Sequence, residues 1–152
     1  MTRMTRVDFA FDANSRLSQA ARSTLRHVAR GTKLFVYCDD PERLRQFDQL
    51  LWTCEDTAFV AHEPLTESTQ LDVPVFLVNQ ANWPLVADRV TAQDWLLNLD
   101  DDCPPEVTVF TRALEIVGQD DAEKQLARQR WRQYQSLGLE LHAHQLGVES
   151  SE

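Results

Sequence analysis

The chain has 152 residues, 43% of them hydrophobic and 26% charged, which is enough apolar content for a core and excludes a disordered chain. One domain is expected at this length, burying roughly two thirds of its unfolded surface. A net charge of −9 argues against a dedicated nucleic-acid binder, whose surface must neutralise phosphates, but it leaves room for a local cationic patch.

In chain order, residues 6–11 (RVDFAF) alternate polar and apolar and predict a first strand. DANS supplies turn and cap chemistry, and residues 15–30 then predict a helix with Leu17, Ala20, Ala21, Leu25, Val28 and Ala29 inward, ended by Gly31. Residues 33–38 (KLFVYC) read as a second strand, apolar enough to be covered on both faces. Asp39, Asp40 and Pro41 form a helix start, and the helix runs over 42–52 with Leu44, Phe47, Leu50 and Leu51 inward. Residues 53–72 read as loop-rich, with HEPLTESTQLD polar and exposed. Further strands are expected at 73–78 (VPVFLV) and 95–99 (WLLNL), and a last long one within 108–117, where Leu114 and Ile116 alternate with Arg112 and Glu115. Residues 79–84 are a turn region, and 85–90 a short helical or strand segment. The β-α-β-α opening indicates a parallel α/β protein. Only Gly31, Gly118, Gly138 and Gly147 occur, so the glycine loops of nucleotide-binding folds are missing.

Residues 120–137 (DDAEKQLARQRWRQYQSL) predict a long amphipathic helix with an acidic first turn and a basic second half, Arg128, Arg130 and Arg132. Gly138 is its stop. At 100° per residue, Leu126, Ala127, Tyr134 and Leu137 share the inner side, and Lys124, Arg128, Trp131, Arg132 and Gln135 the outer. An indole among cations suits a ligand that is both apolar and negative, although charge runs are usually solvated faces. Beyond this helix the tail looks extended, then frayed; the domain is placed at 1–146 and a flexible tail at 147–152.

Other constellations carry less. LLNLDDD at 96–102 mimics a metal-binding strand end but has no phosphate cradle, and His142 with His144 is weak as a metal site. Asp8, Asp39, Asp40 and Asp100 could converge at strand ends, as a metal-dependent hydrolase would need, yet strand-end aspartates are commonly helix caps. Direct single-stranded DNA binding by the basic helix is a further alternative. Cys38, Cys54 and Cys103 are odd in number and lack metal spacing, which fits free thiols in a reducing cytoplasm. MTRMTRVDFAF has no apolar h-region, and no run of residues is long enough to span a bilayer. Trp52 and Phe59 are large aromatics at loop edges, which either cover the core or meet a partner.

Taken together, residues 121–138 (DAEKQLARQRWRQYQSLG), 46–62 (QFDQLLWTCEDTAFVAH) and the VPVFLV strand resemble the chi subunit family of the bacterial DNA polymerase III holoenzyme. The resemblance covers nearly the whole chain. It implies a Rossmann-like three-layer α/β fold with a mostly parallel central sheet and no nucleotide-binding loop. It also implies a non-catalytic accessory subunit of the clamp-loader complex, without metal or cofactor, within a DNA-directed DNA polymerase (nucleotidyltransferase) assembly. Two partners follow from the family: the psi subunit, at Trp52 and Phe59, and the acidic C-terminal tail of single-stranded DNA-binding protein, at Val117, Lys124, Arg128, Trp131 and Arg132. Gln135 stands where the family can carry a basic residue. DNA itself would be met only indirectly or weakly.

Overall fold

A computed structural model of the chain describes residues 5–53, 62–64 and 73–146. Its centre is a seven-stranded sheet: β1 (Arg6–Ala13), β2 (Leu34–Tyr37), β3 (His62–Pro64), β4 (Val75–Val78), β5 (Trp95–Asn98), β6 (Arg112–Gly118) and β7 (Glu140–Gln145). The spatial order is β3-β4-β2-β5-β6-β1-β7, and every pairing is parallel. Parallel strands need crossovers, which place helices on both faces and account for the near-continuous apolar character of β2, β4 and β5.

Helices α1 (Arg16–Ala29) and α2 (Pro41–Thr53) cover one face, where Ala20, Ala21, Phe47 and Leu51 meet Ala10, Leu34, Val36, Leu97, Leu114 and Ile116. The other face is covered by α3 (Val86–Arg89), α4 (Asp121–Ser136) and two 3-10 turns at Trp83–Leu85 and Val107–Val109. There Phe35 packs on Phe76 and Phe110, with ring centroids 5.3 and 5.5 Å apart, and Tyr37 meets Trp83 edge-on at 5.4 Å. This is the expected three-layer α/β arrangement. Local chemistry sets the helix starts: as anticipated, Ser15 accepts from the Ser18 amide and Asp40 from the Glu42 and Arg43 amides, while Asp120, read as part of the acidic first turn, is the cap that accepts from the Glu123 amide.

Several expectations are corrected. Ala29 is exposed, because α1 is rotated so that Arg16, Gln19, Ser23, Thr24 and His27 are buried and Leu17, Leu25 and Val28 only partly so. Leu137 is 55% exposed, since it caps α4 and does not continue its inner stripe. The long strand expected within 108–117 is present as Arg112–Gly118, preceded by the 3-10 turn Val107–Val109. It is not the final strand, for β7 pairs in parallel with β1 at the sheet edge. Glu115 does not face solvent but is fully buried. A third strand, His62–Pro64, pairs with β4 inside the stretch expected to be loop. Cys54, Phe59 and the tail at 147–152 lie outside the described residues. Among the described residues, no helix is long and apolar enough to cross a membrane.

Candidate functional site

The chain crosses from β6 to β7 by way of α4, and because β1 lies between those strands, α4 passes over it. What fixes the helix there is a buried polar cluster. Glu115, on the α4 face of β6, accepts from Arg130 Nε at 3.0 Å, Tyr134 Oη at 2.6 Å and Asn98 Nδ2 at 2.8 Å. Arg16 reaches across to within 3.9 Å of the same carboxylate and donates to the Ile116 and Asp100 carbonyls at 2.9 Å each. Arg130 also donates to the Asp101 carbonyl at 3.0 Å. Every member is satisfied, as a buried ionic group must be to persist. Burial, then the Glu115 charge, pushes the Tyr134 hydroxyl well above its ordinary range, so it stays a donor.

With Ala127, Arg130 and Tyr134 turned inward, the opposite edge of α4 overhangs a groove of about 350 Å³. Its floor is Phe9 and Phe11 of β1, Val117 of β6 and Ala143 of β7; its wall is Lys124, Ala127, Arg128 and Trp131. Lys124, Arg128 and Trp131 stand at i, i+4 and i+7, one side of a helix. The indole is half-buried and packs on Phe9 at 5.0 Å, tilted by 59°. It is therefore part of the groove's apolar lining and not, as the helical wheel suggested, set apart from the apolar stripe. Arg132 is exposed and lies outside the groove lining. Asp12, on the rim, subtracts one charge from the two cations; its carboxylate accepts from Gln145 at 2.8 Å, and its φ of 69° marks the irregular end of β1.

The groove thus brings together Val117, Lys124, Arg128 and Trp131 from the sequence-derived set, and adds Phe9, Phe11 and Ala143. The alternation of RVDFAF signalled that Phe9 and Phe11 share a face; only the crossing of α4 over β1 says which helix they meet. Trp52 lies far along the chain at the end of α2, in the opposite helical layer, and is 54% exposed.

The strand-end aspartates do not form a reactive cluster. Asp100 accepts from the Asp39 amide at 2.9 Å, Asp39 from the Gln80 amide at 3.0 Å, and Asp40 caps α2. Asp8 lies near the start of β1 and not at a strand C-terminus, hydrogen-bonded by Arg6 at 2.9 Å and Arg112 at 2.5 Å. His142 pairs with Glu140 at 2.6 Å. Among the described residues, no group of three or more His, Cys, Asp or Glu side chains is arranged to hold a metal ion.

The sequence profile of the DNA polymerase III chi subunit, HolC, matches residues 4–142. The chain belongs to the DNA polymerase III chi subunit family. It is 29% identical over 147 residues to DNA polymerase III subunit chi of Pseudomonas aeruginosa, covering 94% of this chain and 98% of that protein. The chi subunit of Haemophilus influenzae is 29% identical over 117 residues, 77% of this chain and 78% of that one. That of Escherichia coli is 28% identical over 112 residues, 74% and 73% respectively. Membership makes the chain an accessory, non-catalytic subunit of DNA polymerase III, at work in DNA replication. In a non-catalytic subunit the strand-end aspartates need no reacting role, which agrees with their use as caps and loop ties.

Proposed function

We propose that this chi-family subunit bridges two proteins, gripping the acidic C-terminal tail of single-stranded DNA-binding protein in the α4 groove and the psi subunit of the clamp loader around Trp52. The observation that carries the reading is the groove's make-up, an apolar floor of Phe9, Phe11 and Val117 beneath a wall bearing Lys124 and Arg128. A peptide with an apolar end and a free carboxylate matches both halves. Arg128 or Lys124 pairs with the carboxylate, and a guanidinium does so through two hydrogen bonds. The terminal apolar side chain enters between Trp131 and Phe9, while exposed Arg132 steers the acidic residues upstream. A tail is disordered before it docks and loses entropy on binding, so single-site affinity is modest; several tails on one coated strand compensate through effective concentration. The subunit thereby tethers the polymerase assembly to coated single-stranded DNA without contacting nucleic acid itself, in keeping with a net charge of −9.

Calorimetric titration with a short acidic peptide ending in a phenylalanine carboxylate tests the tail site. Arg128→Ala is expected to weaken binding by about 1.5–3 kcal/mol, the range for a charge-assisted contact. Wild-type affinity in that variant would place the tail elsewhere. For the psi face, pull-down with psi is expected to fail for Trp52→Ala and Phe59→Ala while tail binding survives.

A further inference from the structure

A second cavity, of about 190 Å³, opens on the opposite face of the sheet, between α1 and the first residues of β5, β6 and β1. Trp95, Arg112 and Arg6 begin those three strands and are laterally paired, so they form one row along the sheet's N-terminal edge. Strand alternation puts Arg6 and Asp8 on this face with Arg112 and Leu114, and sends the Glu115 carboxylate to the α4 side, where it is already consumed. From above, α1 supplies Ser23, His27 and, at its end, exposed Arg30. A helix that packs on a parallel sheet normally turns apolar side chains inward; α1 instead buries Gln19, Ser23 and His27 along this side.

The charges do not cancel. Among the lining residues, Arg6, Arg30 and Arg112 outnumber the carboxylates of Asp8 and of Glu115, the latter turned to the α4 side; Glu140, paired with Arg6 across the β1–β7 ladder, lies outside the lining and hydrogen-bonds His142. His144 stands 3.5 Å from Asp8. Asp8 accepts a hydrogen bond from Arg6 and from Arg112 each through Nε, and among the described residues no hydrogen bond is donated by their Nη groups. The plane of Arg112 is held by stacking on Trp95, 4.1 Å from the ring centroid, and that indole is held in turn by His27 at 5.0 Å. The result is a fork of oriented donors opening into a space far larger than one water requires.

We propose that this cavity is a binding site for a phosphate-type anion, held by the outward Nη groups of Arg112 and Arg6 and closed by Arg30. Guanidinium forks match the spacing of phosphate oxygens, whereas a carboxylate partner is already in place as Asp8 to orient them. The site is separate from the α4 groove and stands or falls independently of the tail-binding reading.

The test is a titration of the full chain by ¹⁵N–¹H correlation spectroscopy at fixed ionic strength, with inorganic phosphate, pyrophosphate and a deoxynucleoside monophosphate in turn. Saturable shifts are expected at β1, β6 and the end of α1, with the amides of Lys124 and Arg128 unmoved. Saturation by phosphate or pyrophosphate alone identifies a free anion as the ligand; saturation by the nucleotide only identifies a phosphate ester. Arg112→Gln is expected to weaken binding about tenfold, the worth of one charge-assisted hydrogen bond. Arg30→Gln touches neither Asp8 nor the core and is expected to fold normally and lose about threefold, as for a more exposed charge. Linear shifts scattered over the surface, or affinity unchanged in Arg30→Gln and Arg112→Gln, would overturn the proposal.

Discussion

Arg128 and Arg130 are two residues apart on one helix and have opposite environments. Arg128 is exposed on the groove wall, whereas Arg130 is 3% exposed and locked to a carboxylate with no exposure at all. Removing one partner of such a pair leaves the other charge stranded in low dielectric. Arg130→Ala is therefore expected to destabilise the fold by about 3–5 kcal/mol in chemical denaturation, with Arg130→Met paired with Glu115→Gln recovering part of the loss. Asp8 gives a pH signature. Burial alone would raise its pKa, but the hydrogen bond from Arg6 and the charge and hydrogen bond of Arg112 outweigh it and hold Asp8 below the ordinary range. A carboxyl depressed in the folded state contributes stability that is complete above the unfolded value, about 3.9, and fades as pH falls through the folded one. The stability gap between wild type and Asp8→Asn should thus be full near neutrality and close below about pH 4 in acid titrations followed by circular dichroism. The thiols are predicted to be inert: burial pushes Cys38 up to about 11 and Cys103 to about 12. Almost no thiolate exists at pH 8, so peptide mapping after native alkylation should show both unmodified and denatured alkylation should label them.

At the scale of the element, α4 is defined by its ends. Asp120 caps the first turn, and the Gly118 amide donates to Glu123 at 2.9 Å, close enough that a Cβ on Gly118 would collide with that carboxylate. Gly138 ends the helix at φ 76° with open space around it, so a side chain there meets backbone strain rather than a clash. Gly138→Ala is expected to cost about 1–2 kcal/mol in thermal or denaturant unfolding, by the left-handed penalty alone. Both ends were legible in the sequence, because an acidic first turn and a stop glycine act locally. The rotation of the helix was not. Ala127, Arg130 and Tyr134 recur at i, i+3 and i+7, so an inner stripe through Arg130 was available, but nothing local says that a buried glutamate waits 15 residues back along the chain, on a strand read as amphipathic. The burial of Arg130 and of Glu115 is each improbable alone and reasonable only together. The same holds for α1, whose polar inner side makes sense only beside the cationic row on the strand edge, and for β3 and β7, which are short edge strands whose pairing depends on β4 and β1 already being in place.

Across the whole molecule, the sheet separates two surfaces. The α4 groove lies on one face, and Trp52 ends a helix on the other. Parallel architecture was foreseeable from the alternation of strands and helices, and the absence of glycine loops from a count of four; the layer to which each aromatic belongs was not, because it depends on the order in which strands enter the sheet. That separation has a thermodynamic consequence for an adaptor. Coupling between two sites requires an element with two arrangements that both ligands bias, and here the element between them is a close-packed sheet with fully buried side chains on both faces. Binding at the groove should therefore leave binding at the Trp52 face unchanged within about 0.5 kcal/mol, the usual tolerance for distant, independent sites. Calorimetric titration of psi into the protein with and without saturating tail peptide measures this directly. Equal affinities are expected, together with a tail affinity that falls steeply with salt while that for psi falls less, since the proposed tail site offers cations and the proposed psi site an exposed indole. A psi affinity shifted several-fold by the peptide would mean that the two partners bias a common element, and the sheet between them would then have to take up two arrangements.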